Sequence, residues 1–301
     1  MSRSIALAHI VRHEDGTATG AWAGYTLMSA FQPIFAFRDG RLEVAAFEGL
    51  IRPFRDGAGV SPAEFFGIVP AADRLHVETL TRTLHLLNAG PFLPHPALLF
   101  VNFDPSVFDE PARTEAALRD MRLTLHEAGI DPRRIVCEVT EKRTSSEEAL
   151  AAFVSALRKH GFRIAVDDYG AEESDMERVA KLHPDIVKFD AQWISRLMDT
   201  RPGIALLRVM VQEFSSRGIG IVFEGIEERW QLEIAEQAGA DMVQGYVLAR
   251  PELAPECFTG FEIAAAAPDA SPAHGAAEAA QATVPARPGG AHRTFGRRRS
   301  A

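Results

Sequence analysis

Apolar residues recur along most of the chain in short runs of β-strand type, and amphipathic segments of helical length separate most of these runs. The near-continuous apolarity of several runs is typical of parallel strands that helices cover. The chain contains eight such runs, which is the strand count of a closed β/α barrel. In chain order they are FQPIFAF, LEVAAFEGLI, LLFVNFD, IVCEVTE, RIAVDDYG, DIVKFDA, IGIVFEGIE and MVQGYVLA.

The linker between the first two runs is too short for a helical crossover. It consists of RDGR, and the Asp39-Gly40 pair within it is a strong β-hairpin signal. Later segments begin and end as crossover helices do, with Ser61 and Pro62 at one start and Gly161 at one end. The predicted fold class is therefore α/β, a modified TIM (β/α)8 barrel with one antiparallel strand.

The chain divides by composition into three parts. Residues 1–28 are a short N-terminal extension, and the barrel pattern occupies residues 29–260. From about residue 261 the sequence is rich in Ala, Pro and Gly and poor in large apolar residues, so it cannot bury enough surface to fold alone. We therefore expect residues 261–301 to form a disordered tail.

Charge and composition narrow the classes of partner. The 301 residues are 47% hydrophobic, enough for a large core, and carry a formal net charge of -9. That acidic balance argues against DNA or RNA as a partner, because nucleic-acid surfaces are normally built from a basic excess. Two cysteines form no disulfide framework, and neither a leader nor an apolar run of membrane-spanning length is visible. We expect a cytoplasmic protein without membrane contact.

Each strand-like run ends in, or turns into, a polar functional group. In a β/α barrel the carboxyl ends of the parallel strands converge on one rim, so side chains that are distant in sequence are predicted to meet there. The polar residues at these ends are Glu48, Asn102, Glu138, Asp167, Asp168, Lys188, Glu224 and Gln244. Together they form the candidate site.

Carboxylates gathered at one rim would raise one another's pKa unless cations balanced them. Oxygen ligands favour hard divalent ions such as Mg²⁺ or Mn²⁺. The adjacent Asp167 and Asp168 then suit a two-metal site, in which one carboxylate bridges ions about 3.5–4 Å apart, as in phosphodiester hydrolysis.

Taken singly, the residues allow other interpretations. The Asp-Asp pair is also typical of a turn or helix cap, Asn102 of a turn, and Lys188 of a lysine whose stem covers apolar surface.

The same segments, in the same order, resemble the motifs of the EAL family of cyclic di-GMP phosphodiesterases over roughly residues 29 to 256. FQPIF resembles the family's QPI run, FEGLIR its EAL-x-R signature, FVNFDPS its VNLSP segment and CEVTE its ELTE segment. AVDDYG resembles LDDFG, PDIVKFD resembles VDxLKID, FEGIE resembles AEGVE, and VQGYVLARP resembles QGYLFSRP. The resemblance implies a modified (β/α)8 barrel and Mg²⁺- or Mn²⁺-dependent opening of cyclic di-GMP to linear pGpG.

The resemblance also implies roles for individual residues. The metal ligands would be Glu48, Asn102, Glu138, Asp167, Asp168 and Glu224. The catalytic residues would be Glu48, Lys188 and Glu224, with Lys188 orienting the attacking water. The substrate-binding residues would be Gln32, Arg52 and Gln244, with Arg52 on a phosphate and Gln244 supporting the water shell of the metals. Glu141 and Glu227 would be supporting residues, and the protein is expected to be a homodimer.

The chain departs from the family pattern at two places. The signature alanine is Gly49, a change that removes only a methyl group. The family's DDFGTGYSS is replaced by DDYGAEESD, so that Glu172 stands where the second glycine is usual and three acids follow Gly170. A residue other than glycine is strained where the backbone needs a positive φ. We therefore expect the loop at residues 170–175 to alter control of the site, while the catalytic groups are intact.

Three functional hypotheses follow from these patterns. The first is an active phosphodiesterase that hydrolyses cyclic di-GMP. The second is an EAL-like receptor that binds cyclic di-GMP or a protein partner without turnover, and the altered loop supports it. The third is an unrelated metal-dependent barrel hydrolase. Metal-dependent formation of pGpG separates the first from the second, and competition by cyclic di-GMP separates both from the third.

Overall fold

The computed structural model describes residues 9–105, 111–140, 147–171, 179 and 181–261. Three predictions fall wholly or mostly outside these residues: the supporting role of Glu141, the altered loop after Ala171, and the tail that follows Phe261.

The strands and helices of the described residues alternate along most of the chain. The strands are β1 (Ile10–Arg12), β2 (Ala18–Trp22), β3 (Tyr25–Arg38), β4 (Arg41–Arg55), β5 (Ala58–Gly59), β6 (Leu98–Phe103), β7 (Ile135–Thr140), β8 (Arg163–Tyr169), β9 (Ile186–Phe189), β10 (Gly220–Phe223), β11 (Met242–Val243) and β12 (Glu252–Leu253). The helices are α1 (Pro62–Ile68), α2 (Ala71–Ala89), α3 (Pro111–Ala128), α4 (Glu147–Lys159), α5 (Ala191–Met198), α6 (Arg201–Ser216) and α7 (Arg229–Ala238).

Eight strands close into a barrel in the order β3-β11-β10-β9-β8-β7-β6-β4, and β4 pairs with β3 to complete it. The pairs from β4 through β6, β7, β8, β9 and β10 to β11 are parallel. Strand β3 is antiparallel to both of its barrel neighbours, β4 and β11. The predicted α/β barrel with one antiparallel strand is therefore confirmed, and β3 is that strand.

A tight hairpin joins β3 to β4, as the sequence predicts. Arg38 pairs with Arg41 across the turn. Asp39 and Gly40 between them have φ values of 48° and 74°. Positive φ at both central residues is the requirement of a type I′ turn, whose twist matches that of the flanking strands.

Strands β3 and β4 continue beyond the barrel and form an antiparallel extension with β1, β2 and β5. Because β3 begins at Tyr25, the predicted boundary between residues 28 and 29 falls inside this strand. Helices α1 and α2 cover the extension, and a separate apolar core fills the space between them. This core includes Leu27, Ile51, Phe65, Leu80 and Leu84.

Helix α1 begins where its sequence predicts. The Ser61 hydroxyl accepts a 3.2 Å hydrogen bond from the backbone N–H of Glu64, and Pro62 is the first helical residue. Val69 is extended because Pro70 follows it, and this break separates α1 from α2. Gly161, with a φ of 88°, lies just beyond the end of α4, as predicted.

Inside the barrel, an apolar layer lies beneath a polar one. The apolar layer consists of the buried residues Ile34, Ala46, Phe100, Val136, Ala165, Ile186 and Val222. Side chains two positions apart on a strand share a face, so each residue two positions towards the rim also belongs to the inner face. Those residues are Gln32, Glu48, Asn102, Glu138, Asp167, Lys188 and Glu224. The strand period thus brings the polar groups to one level above a filled barrel.

Candidate active site

Lys188 of β9 lies among four carboxylates. Its Nζ is 2.6 Å from Glu224 Oε1, 3.2 Å from Asp167 Oδ1 and 3.8 Å from Glu48 Oε2. It also forms an ion pair with Glu138, whose side chain is fully buried. The Lys188 side chain is only 2% exposed, so its ammonium does not reach bulk water. The interpretation of Lys188 as a lysine whose stem alone is buried is therefore wrong.

A β-bulge places the adjacent aspartates. Strand β8 carries one extra residue between its pairings with β9, so Asp167 and Asp168 both lie opposite Lys188. Asp168 has a φ of 57°, in the left-handed region that Asp enters more readily than most residues. In a regular strand two neighbours point to opposite faces. The bulge instead lets both carboxylates approach Glu224, with one oxygen from each of the three groups within 4.8 Å of the others.

The carboxylates of the cluster carry unbalanced negative charge. Burial raises the pKa of Glu138 well above its usual range, and the Glu48 carboxylate adds to this effect. Burial likewise raises the pKa of Glu224 to about 8. Burial alone would lower the pKa of Lys188, but the surrounding carboxylates, Asp167 foremost, raise it well above its usual value. A single ammonium does not neutralise four carboxylates, and cations at the cluster would complete the balance.

The donor atoms of the cluster fit hard divalent cations. All are oxygens, which Mg²⁺ and Mn²⁺ prefer over the nitrogen and sulfur ligands typical of zinc. Among the described residues, Glu138 Oε2 is buried and accepts no hydrogen bond. A buried carboxylate oxygen without a partner is costly, and a cation would satisfy it. The residues present can therefore hold divalent cations.

Two buried glutamines lie beside Glu48. Gln244, just after β11, donates a 2.8 Å hydrogen bond from Nε2 to Glu48 Oε2. Gln32 is the register partner of Glu48 across the β3–β4 pair, and its Nε2 donates to the backbone oxygen of Ala249 at 3.1 Å. Gln244 therefore contacts a predicted metal ligand, whereas Gln32 contacts the segment that follows β11.

Three other predicted residues lie at the rim. Asn102 is exposed at the end of β6, where its register partner on β7 is Glu138. Arg52 is half-buried on the part of β4 beyond the barrel, and its Nη1 donates to the backbone oxygen of Ile51 at 2.9 Å. Burial lowers the Arg52 pKa. Glu227 is exposed in the segment after β10.

The sequence interpretation missed a buried ion pair on α2 that backs this rim. Arg82 Nη1 lies 3.0 Å from Glu78 Oε2, and the guanidinium carbon is 4.2 Å from the centre of the Phe103 ring. The same Nη1 donates to the backbone oxygen of Asn102 at 3.5 Å. The spacing of Glu78 and Arg82, one helical turn apart, was a usable signal. Only the fold shows that the pair faces the end of β6.

A family model for the EAL domain matches residues 21–251. Because this match covers most of the chain, the protein belongs to the EAL domain family, and the resemblance drawn from the motifs is confirmed. Membership removes the hypothesis of an unrelated barrel hydrolase.

Relatives and solved structures of this family carry related names and ligands. The probable cyclic di-GMP phosphodiesterase PdeA of Escherichia coli K12 is 26% identical over 209 residues, which cover 68% of this chain and 28% of PdeA. The chain thus matches less than a third of that relative's length. The calcium and cyclic di-GMP complex of BlrP1 from Klebsiella pneumoniae has a TM-score of 0.66 at 26% identity, over 79% of this chain and 57% of BlrP1.

Two more solved structures extend the comparison. YkuI of Bacillus subtilis, in complex with the substrate cyclic di-GMP and calcium, has a TM-score of 0.66 at 26% identity, over 75% of this chain and 56% of YkuI. A manganese and cyclic di-GMP complex of BlrP1 has a TM-score of 0.65 at 26% identity, over 75% of this chain and 56% of BlrP1. In the described part of this chain, no helix combines the length and apolarity that a membrane crossing requires.

Proposed function

We propose that this protein is a phosphodiesterase of bacterial second-messenger signalling, which hydrolyses cyclic di-GMP to linear pGpG with the help of divalent cations. The observation that carries the proposal is the cluster around Lys188, in which the bulged pair Asp167 and Asp168 meets Glu224. An acidic, oxygen-only cluster of this kind suits two-metal hydrolysis of a phosphodiester. Membership of the EAL family, and the ligands of similar structures, support the choice of substrate.

The metal site would use six residues from five barrel strands or the segments that follow them. Two Mg²⁺ or Mn²⁺ ions would be held by Glu48, Asn102, Glu138, Asp167, Asp168 and Glu224. The bound ions would supply Lewis-acid activation and neutralise the charge that develops on the phosphate.

Side chains of the protein would position the attacking water and the substrate phosphate. Carboxylates on several sides hold the Lys188 ammonium in place, and Lys188 would orient the attacking water. Glu224, which contacts Lys188, would take the proton of that water at a carboxylate oxygen. Arg52 at the rim would pair with a phosphate through its guanidinium fork, and Gln244 holds the carboxylate of Glu48.

The test is incubation of the purified chain with cyclic di-GMP and Mg²⁺, Mn²⁺ or EDTA, followed by chromatography of the nucleotides. Glu48→Gln keeps the size of the side chain and removes its charge, and Glu43→Gln, on the same strand at the other end of the barrel, is the matched control. We expect pGpG only with metal, from the wild type and Glu43→Gln. Cyclic di-GMP that binds without cleavage would contradict the proposal and identify a receptor instead.

Three further expectations stay predictions. Sedimentation of the full chain tests the homodimer, and fractionation of the producing cells tests the cytoplasmic location. Limited proteolysis tests the proposed division into residues 1–28, 29–260 and 261–301.

A further inference from the structure

Strand β4 and helix α2 approach closely at the residue after Glu48. Gly49 faces α2 rather than the barrel interior, because successive residues of a strand point to opposite sides. A Cβ built on Gly49 would lie 3.1 Å from Cγ and 3.2 Å from Cβ of His85. The φ of Gly49 is not positive, so space rather than backbone conformation requires a glycine here.

His85 is held by a buried chain of hydrogen bonds. Its Nδ1 lies 2.8 Å from Ser29 Oγ, and Asn88 Nδ2 donates to the same hydroxyl at 3.1 Å. Asn88 also pairs with both backbone groups of Ala18, accepting from N at 2.7 Å and donating to O at 2.9 Å. His85, Ser29 and Asn88 are all buried, so displacing the imidazole would leave polar groups without partners.

We propose that His85 is a positioning residue for Glu48. The braced imidazole sets how closely β4 approaches α2, and it thereby fixes how far the Glu48 carboxylate reaches into the barrel. Gly49 is the complementary half of this contact, since a methyl group there would require a shift of a few tenths of an ångström at the His85 contact. Because hydrogen bonds hold the imidazole in place, we expect β4 rather than His85 to move. This inference rests on the proposed function, because it concerns the same metal site.

The expected displacement is large enough to affect metal binding. Metal–ligand distances in functional sites hold to about 0.2 Å. The Glu48 carboxylate contacts Gln244 at 2.8 Å and Lys188 at 3.8 Å, so an inward shift of the strand would change both contacts. Weaker Mn²⁺ binding is therefore the direct readout, independent of turnover.

The test is a titration of the full chain with Mn²⁺, in which electron paramagnetic resonance measures the free ion. Gly49→Ala should raise the Mn²⁺ Kd about tenfold, as loss of an outer-shell partner typically does. The double variant Gly49→Ala/His85→Ala should return to within about twofold of the wild type, because the new methyl occupies the vacated space. Ser29→Ala, which frees the imidazole, should raise the Kd about threefold.

Gly20→Ala is the matched control. It adds the same methyl to a strand that faces α2, but the three atoms nearest to the new Cβ belong to Leu27 and Leu80, at ordinary distances of 3.4–3.7 Å. A purely structural role for His85 would lower the unfolding midpoint of Gly49→Ala without changing its Mn²⁺ affinity. Thermal unfolding of each variant is measured in parallel.

The outcomes separate this inference from the proposed function. Wild-type affinity in Gly49→Ala, or a double variant that folds and does not regain affinity, overturns the inference alone. If Gly49→Ala does not fold, Ser29→Ala decides: weaker binding at an unchanged unfolding midpoint supports the inference, and wild-type binding overturns it. A wild-type chain that binds no Mn²⁺ overturns the proposed function and the inference together.

Discussion

Gln244 Nε2 donates a 2.8 Å hydrogen bond to Glu48 Oε2, although 196 residues separate the two in the chain. The residues belong to opposite sides of β3, which stands between β11 and β4 in the barrel. Strands β4 and β11 are the first and last of the parallel series. The bond therefore links the two ends of that series across the antiparallel strand β3.

Replacing Gln244 tests what this bond contributes. Gln244→Leu keeps the volume and removes the donor, so the Glu48 carboxylate is free to rotate. We expect hydrolysis of cyclic di-GMP to slow by about 10–100-fold, with a weaker affinity for Mn²⁺. Gln237→Leu, on the exposed face of α7, is the matched control, measured in the same chromatographic assay. Equal rates for the two variants would show that the bond has no functional role.

Removing the buried ammonium should make stability depend on metal. In Lys188→Met the carboxylates of Glu138 and Glu224 lose their counter-ion, and breaking a buried ion pair costs about 3–5 kcal/mol. We expect this loss in urea unfolding with EDTA and a smaller loss with Mn²⁺, because the cation replaces the missing charge. The loss should also shrink as pH falls and the carboxylates protonate. Lys159→Met, exposed at the end of α4, is the control. Unchanged stability in EDTA would refute this account.

His85 should make the fold sensitive to mild acid. Burial, helped by the positive charges of Arg82 and Arg52, lowers its pKa to about 3. The unfolded chain therefore takes up the proton first as pH falls below about 6.5. The contribution of His85 to stability is complete above that pH and falls by about 1.4 kcal/mol per pH unit between about 6.5 and 3.

The measurement for His85 is urea unfolding at several pH values between 7.5 and 5. His85→Gln removes the titrating group, so the free energy of unfolding should fall less steeply with acid than in the wild type. His126→Gln, at an exposed position of α3, is the control. Identical slopes for the wild type and His85→Gln would rule out this source of acid sensitivity.

Gly170, two residues after Asp168, has no room for a side chain. Its φ is 96°, and an added Cβ would lie 2.3 Å from the Trp193 ring on α5. Gly57 has a similar φ of 80° with nothing nearby, so Gly57→Ala measures backbone strain alone, about 1 kcal/mol. Gly170→Ala should lower the free energy of unfolding by at least about 2 kcal/mol more. The free energy of unfolding of both variants is measured by urea unfolding. An equal decrease in the two would mean that the Trp193 ring moves aside without destabilising the fold.

Much of the fold could be predicted from strand periodicity. Each of the eight apolar runs overlaps a barrel strand, and Asp39-Gly40 forms the expected hairpin. The extension formed by the outer parts of β3 and β4 was not predicted, because its partner β2, ATGAW, is too short and too polar to stand out as a strand. Its stability comes from contacts with α1 and α2, which only tertiary packing creates.

The composition of the site could be predicted, but its arrangement could not. An Asp-Asp pair at the end of an apolar run has the same sequence whether strand alternation continues or a bulge interrupts it. The contacts of Lys188 with carboxylates from several strands depend on barrel closure. The contact of His85 with Gly49 depends on how α2 packs on β4, so neither residue type indicates it alone.

The bulge in β8 has a consequence for alignment and protein design. A procedure that assigns the residues of this strand alternately to the barrel interior and to the face that the helices cover places Asp168 on the helix-covered face. It therefore favours an apolar residue at that position. Such a substitution preserves the hydropathy profile of the strand and removes a carboxylate from the cluster around Glu224. Scoring should restart after Val166, where two residues of β8 share one partner on β9.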